Sequence, residues 1–138
     1  MVYSMKKNSS GVRVRLRTLD DVVDAVLCLL GSNPTDSLVG VVLQDGIVNR
    51  AGRCDMAAVE QPGGAEWFAG RLLPGVLDLS KGPEQVVLIG YGDRPRARAA
   101  VKRAVARSLL PVVGALVVEN GSWWRCDDGH GGPDTAVG

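Results

Sequence analysis

Apolar and polar positions follow several distinct rhythms along the chain, and each rhythm predicts an element. Val12, Val14 and Leu16 alternate with Arg13 and Arg15, the period of a strand with one buried face. Thr18 or Asp20 can then cap a helix, because a side-chain oxygen there satisfies a free N–H of the first turn. Val22, Val23, Val26, Leu27, Leu29 and Leu30 give that helix a broad apolar face, and Gly31 suits its end. From Ser37 to Leu43 the chain is nearly all apolar, as a strand covered on both faces would be. Asp45-Gly46 predicts a hairpin turn, with a return strand from Ile47 towards Met56.

Further on, Pro62, Gly63 and Gly64 interrupt the pattern, Ala65 to Leu73 predicts a short helix, and Pro74-Gly75 stops it. Gln85 to Gly92 predicts a central strand. Asp93 can cap the helix that follows, and Pro95 fits its first turn, where no backbone donor is lost. Arg96 to Leu109 is rich in Ala and Arg, with Pro111 placed to stop it. Val112 to Glu119, Asn120-Gly121 and Ser122 to Arg125 read as a second hairpin. The expected architecture is α/β: a single domain over 12–126, with a mixed five- to six-stranded sheet and about three packed helices. Residues 1–11 read as a flexible leader and 127–138 as a Gly- and Asp-rich tail.

Composition narrows the chemistry. The chain has 138 residues, which supports one core. With 18 Gly and 4% aromatics, that core must be built from aliphatic side chains joined by tight turns. A single His excludes a multi-histidine metal site, and three Cys leave one unpaired under any disulfide scheme. The first residues have no apolar run of the signal-peptide kind, and no apolar stretch is long enough to span a bilayer. A reduced, cytoplasmic protein without a cofactor is the expectation.

The net charge of +1 hides segregation. Between Lys81 and Leu110 seven basic residues face only Glu84 and Asp93, whereas the flanking segments are acidic. At about 100° per residue, Ala97, Val101, Ala104, Val105 and Leu109 share one arc of the basic helix. Arg96, Arg103 and Arg107 lie opposite, as a solvated face or a phosphate-tracking surface for nucleic acid over residues 94–109. No aromatic residue is interleaved with them to stack bases, which weakens the second reading. Arg98 falls inside the apolar arc, so its head should reach past the core towards the strand ends.

Four groups are candidates for function. Gly92, Asp93, Arg94 and Arg98 mark a strand end and helix start, where ligands gather in open α/β sheets and anions find free N–H groups. Asp36 and Ser37 enter their strand whereas the glycine loop leaves one, so a parallel arrangement puts the two loops at opposite ends; an Asx or Ser turn accounts for them. Cys126 and His130 are too few for a closed zinc site and too loosely held for a nucleophile pair. No catalytic or metal-ligating set is therefore assigned. Trp123 and Trp124, as neighbours on a strand, face opposite ways, which leaves one ring free as an anchor for a partner.

Three blocks carry a resemblance: Leu29 to Val39, with Gly31, Pro34, Asp36 and Ser37; Tyr91-Gly92-Asp93 before the Arg/Ala-rich helix; and Ala115 to Trp124, with Gly121. In that order they resemble an actinobacterial and actinophage family known only as a domain of unknown function, the 4192 type. The resemblance covers Leu16 to Arg125 and implies a bacterial or phage setting, with a minimal form that lacks the Cys- and Pro-containing extension of longer members. It implies no activity. The leading expectation is a non-enzymatic protein-interaction module acting on an unidentified protein partner, with a homodimer through the second hairpin possible and no membrane contact. Alternatives are an anion- or nucleotide-binding or phosphoester-processing domain using Gly92, Asp93, Arg94 and Arg98, and a nucleic-acid binder using Arg96, Arg103 and Arg107.

Overall fold

The computed structural model describes residues 3–4, 19–31, 34–73, 82–120 and 122–126. Strand β1 (Tyr3–Ser4) is followed by helix α1 (Leu19–Leu30), then β2 (Ser37–Gln44) and β3 (Ile47–Asp55). Helices α2 (Met56–Glu60) and α3 (Gly64–Arg71) lead to β4 (Glu84–Tyr91), α4 (Arg94–Arg107), β5 (Val112–Glu119) and β6 (Ser122–Arg125). The strands form one sheet in the order β1-β3-β2-β4-β5-β6, so the architecture is the expected mixed α/β domain. Tyr3–Ser4, within the expected leader, pairs with β3; the expected strand at 12–16 and the segment 127–138 lie outside the described residues.

Turn chemistry sets both hairpins. Asp45 and Gly46 both have positive φ, 57° and 72°, the turn whose twist matches the strands it joins. Asn120 opens the second turn at φ 53°, and Glu119 pairs with Ser122 across it.

Every residue of β2 is buried, because helices cover both faces of the sheet. On one face Leu38, Val42, Val86, Leu88 and Val117 meet α2, α3 and α4 through Met56, Val59, Phe68, Ala97, Val101 and Ala104. On the other, Val39, Val41, Val87, Ile89, Leu116, Val118 and Trp123 meet Val22 and Val26 of α1. The alternation of the strand residues between the two clusters is the two-residue period of the pleat.

Four helices are present among the described residues, one more than the pattern predicts. The addition is α2, which follows β3 directly with Asp55 as its N-cap residue. Five residues are too few to show a helical period, so the strand rhythm reads straight through Met56. A pair of facing glycines makes room for the next helix end. Gly40 pairs with Gly52, and Leu72 sits over both; a Cβ on Gly40 would lie 2.6 Å from its Cδ1.

Strand direction departs from the parallel arrangement that separated the two loops. β4 and β5 are parallel, joined by α4, but β2 is antiparallel to both β3 and β4, with Ser37 opposite Tyr91. The chain crosses from β3 through α2 and α3 and lands on the far side of β2. The loop entering β2 and the loop leaving β4 consequently share one end of the sheet.

Candidate functional site

That end of the sheet carries two clefts, one on each face. Asp36 has φ 44° and its carbonyl accepts from the Met56 N–H at 2.8 Å, which fixes the loop against β3. Gly92 opposite has φ 138°, and a Cβ there would stand 2.7 Å from Asp36 Oδ1. Around them opens a cleft of about 540 Å³ lined by Asp36, Tyr91, Gly92, Asp93, Val118 and Glu119, among others. Its charged groups are carboxylates. Ser37 takes no part: it is buried, its hydroxyl donates to the Thr35 carbonyl at 2.7 Å, and it accepts from Arg53 Nε at 3.0 Å.

The start of α4 was a candidate because helix N-termini present free donors, yet its first turn is already saturated. The Arg94 N–H donates to Glu119 Oε2 at 3.3 Å, Arg96 N–H to Asp93 Oδ2 at 3.4 Å, and Ala97 N–H to the Asp93 carbonyl at 2.8 Å. Pro95 has no N–H to offer. Gly92 and Asp93 thus shape the turn and the acidic cleft, and an anion would find no backbone cradle there.

Arg94 and Arg98 project to the other face, one helical turn apart, and meet Trp124. Val117 pairs with Trp124 and Val118 with Trp123, so the two indoles are turned to opposite faces. Trp123 is 5% exposed and belongs to the core beside α1. Trp124 is half-buried on the α4 side, and the Arg94 guanidinium carbon lies 4.3 Å from its ring centroid, a cation–π stack. Neither hairpin indole is a free ring; the exposed tryptophan is Trp67 on α3, at 43%.

Between them is a cavity of about 310 Å³ lined by Arg94, Pro95 and Arg98 of α4, Val117 of β5, and Trp124, Arg125 and Cys126 at β6 and its end. Arg94 is steadied from the rim by Glu119, with Nε 3.7 Å from Oε1. Arg98 is half-buried and makes no hydrogen bond or ion pair with any described residue. An arginine that lines a cavity without a protein partner favours an anion that can accept its donors.

The other arginines of α4 are engaged elsewhere. Arg96 grips Glu60 of α2 through two hydrogen bonds of 2.8 and 2.7 Å, and its guanidinium holds that carboxyl below the usual carboxylate range. Arg103 donates to the Glu60 carbonyl at 3.4 Å, and Arg107 lies 3.9 Å from Glu66 of α3. These three contacts lash α4 to α2 and α3.

Two further groups lie outside what the sequence suggested. At the opposite end of the sheet Glu84 is buried, and Arg50 donates to it from Nη1 at 2.5 Å and Nη2 at 2.8 Å. Asn49 donates to the same carboxylate at 2.7 Å, and Arg50 Nε donates to the Leu72 carbonyl at 2.9 Å. Among the three free cysteines Cys28 is exposed, whereas burial pushes the Cys54 thiol up to about 12. No three His, Cys, Asp or Glu side chains among the described residues come together as a metal site requires, and His130 lies outside them. No helix among the described residues is long and apolar enough to cross a membrane.

Gly92, Asp93, Arg94 and Arg98 are therefore not one site: the first two face an acidic cleft, the last two a cationic pocket completed by Trp124. The register that brings Trp124 beside Val117 was legible, since the Asn-Gly pair in the sequence signals a two-residue connection and so sets Glu119 opposite Ser122. The proximity of Asp36 to Gly92 was not, because it depends on strand direction.

A mixed α/β domain with a small, cationic, ring-walled pocket at its strand ends is the class that fold and site define. The chain belongs to the DUF4192 family, a domain of unknown function, whose family model matches residues 20–137. Neither a curated protein nor a solved structure matches it.

Proposed function

We propose that the protein is a binding domain for a small anionic ligand, received in the pocket formed by Arg94, Arg98, Val117 and Trp124. The observation that carries this reading is Arg98: a half-buried arginine, without a partner among the described residues, lining a cavity of about 310 Å³. Its supports are the position at the carboxyl ends of two parallel strands, where ligands gather in such sheets, and the apolar wall of Val117, Pro95 and Trp124. The chemistry is recognition. Arg98 supplies the anion's donors, Arg94 is shared between Trp124 and Glu119, and the apolar wall excludes water.

The interaction-module reading has less to stand on, since Trp123 lies in the core and Trp124 is stacked beneath Arg94.

Thermal melts in inorganic phosphate and pyrophosphate test the proposal. Binding to the folded state stabilises it by about 2.7 kcal/mol at a hundredfold excess over Kd, so the midpoint rises with ligand concentration. Arg98→Ala should keep the ligand-free midpoint and lose the rise. An unchanged wild-type midpoint in both ligands overturns the proposal.

A further inference from the structure

We infer that the anion is a nucleoside monophosphate, with its base against the Arg94–Trp124 stack and its phosphate on Arg98. The inference rests on the anion-binding reading and narrows it to one ligand class. Charge is the first reason. Besides Arg125, two guanidinium groups line the pocket, those of Arg94 and Arg98, and Glu119 holds Arg94 loosely at 3.7 Å. A phosphate monoester carries about −1.5 to −2 at neutral pH and three acceptor oxygens, enough to engage both arginines. A carboxylate brings one charge and two oxygens.

The flat wall is the second reason. Arg94 lies on Trp124 at 4.3 Å, and indole faces and guanidinium planes are the two surfaces on which nucleobases stack. Pro95 and Val117 extend that wall with apolar surface. Size is the third. A cavity of about 310 Å³ is at the lower limit of ligand pockets, which suits one nucleotide and excludes a dinucleotide cofactor.

The same chemistry occurs at the phosphorylated end of a nucleic-acid strand. The surface around the pocket favours the free monomer, because a strand needs a cationic track. Arg96 is bound to Glu60, and Arg107 lies beside Glu66.

Calorimetric titration of the whole chain with AMP, GMP, CMP and UMP tests the inference, with inorganic phosphate, the matching nucleosides, indole-3-acetate and a 5′-phosphorylated trinucleotide as comparison ligands. At least one monophosphate should bind about tenfold or more tightly than phosphate or its own nucleoside, the worth of one stacked base. It should also quench tryptophan fluorescence, and Trp124→Phe should remove most of that quench. Phosphate binding as tightly as every monophosphate overturns the nucleotide assignment and leaves the anion site standing. Indole-3-acetate binding as tightly overturns the phosphate, and a tighter trinucleotide overturns the free monomer. If no anion binds at all, the anion site itself falls. The comparison of ligands on the unaltered protein decides between these results even where Trp124→Phe does not fold.

Discussion

Gly92 illustrates how one residue can hold two loops together. Its φ of 138° belongs to backbone space that side chains rarely enter, and Asp36 occupies the volume a Cβ would need. Gly92→Ala should therefore cost about 1–3 kcal/mol in urea denaturation; a variant as stable as the parent would mean that the two loops are not locked. Cys54 makes a different prediction. Burial pushes its thiol up to about 12, well above its ordinary value in the unfolded chain. Below the unfolded value the thiol is protonated in both states and stability is unaffected. As pH rises between the two values, only the unfolded state loses the proton, so stability falls by about 1.4 kcal/mol per pH unit. Denaturation at a series of alkaline pH values should give a steeper fall for the parent than for Cys54→Ala. Burial also holds the Tyr91 hydroxyl above its ordinary value, so both proteins should weaken further at the alkaline extreme. None of this could be read from residue identity: Cys28 and Cys54 look alike in the sequence, and only packing separates them.

At the scale of elements, the sequence was most informative where a turn or cap residue sits at an end. Asp93 and Pro95 start α4, and its Asp93 side chain does accept from the Arg96 N–H. Asp45-Gly46 and Asn120 start the two hairpins. The sequence was least informative where an element is held by a distant partner. Nothing local relates Arg50 to Glu84, yet their side chains are 16% and 4% exposed and join the start of β4 to β3 and to the end of α3. Removing one member of such a pair leaves the other charge buried without compensation. Glu84→Ala should cost about 3–5 kcal/mol, and Arg50→Met combined with Glu84→Leu should cost much less than the two single changes together. Additive losses in a double-mutant cycle would show that the pair is uncoupled. The pocket lies between these extremes: Arg98 was placed near the strand ends by helical periodicity, but its meeting with Trp124 depends on β5 and β6 together.

For the whole molecule, the local excess of basic residues is deceptive. The arginines opposite the buried face of α4 mostly meet Glu60 and Glu66, so the basic helix and the acidic segment before it compensate one another in space. The protein should leave a DNA duplex unretarded in a gel at physiological salt. Retardation that strengthens steeply as salt is lowered would mean that these arginines abandon their partners for phosphate. The fold class was legible because helical and strand rhythms alternate along the chain. Strand direction was not, since the direction of β4 relative to β2 depends on the end of the sheet at which the chain re-enters after α3.

The central place of β2 also has a consequence for biosynthesis. This uncharged, fully buried strand has β3 available as a partner almost at once, through a two-residue turn, but its other edge waits for β4. While the ribosome is still making α2 and α3, that sticky edge is uncovered, an invitation to neighbouring nascent chains. Translation speed across the stretch between the two strands therefore sets how long the chain is exposed to misassembly, and with it the need for chaperone help.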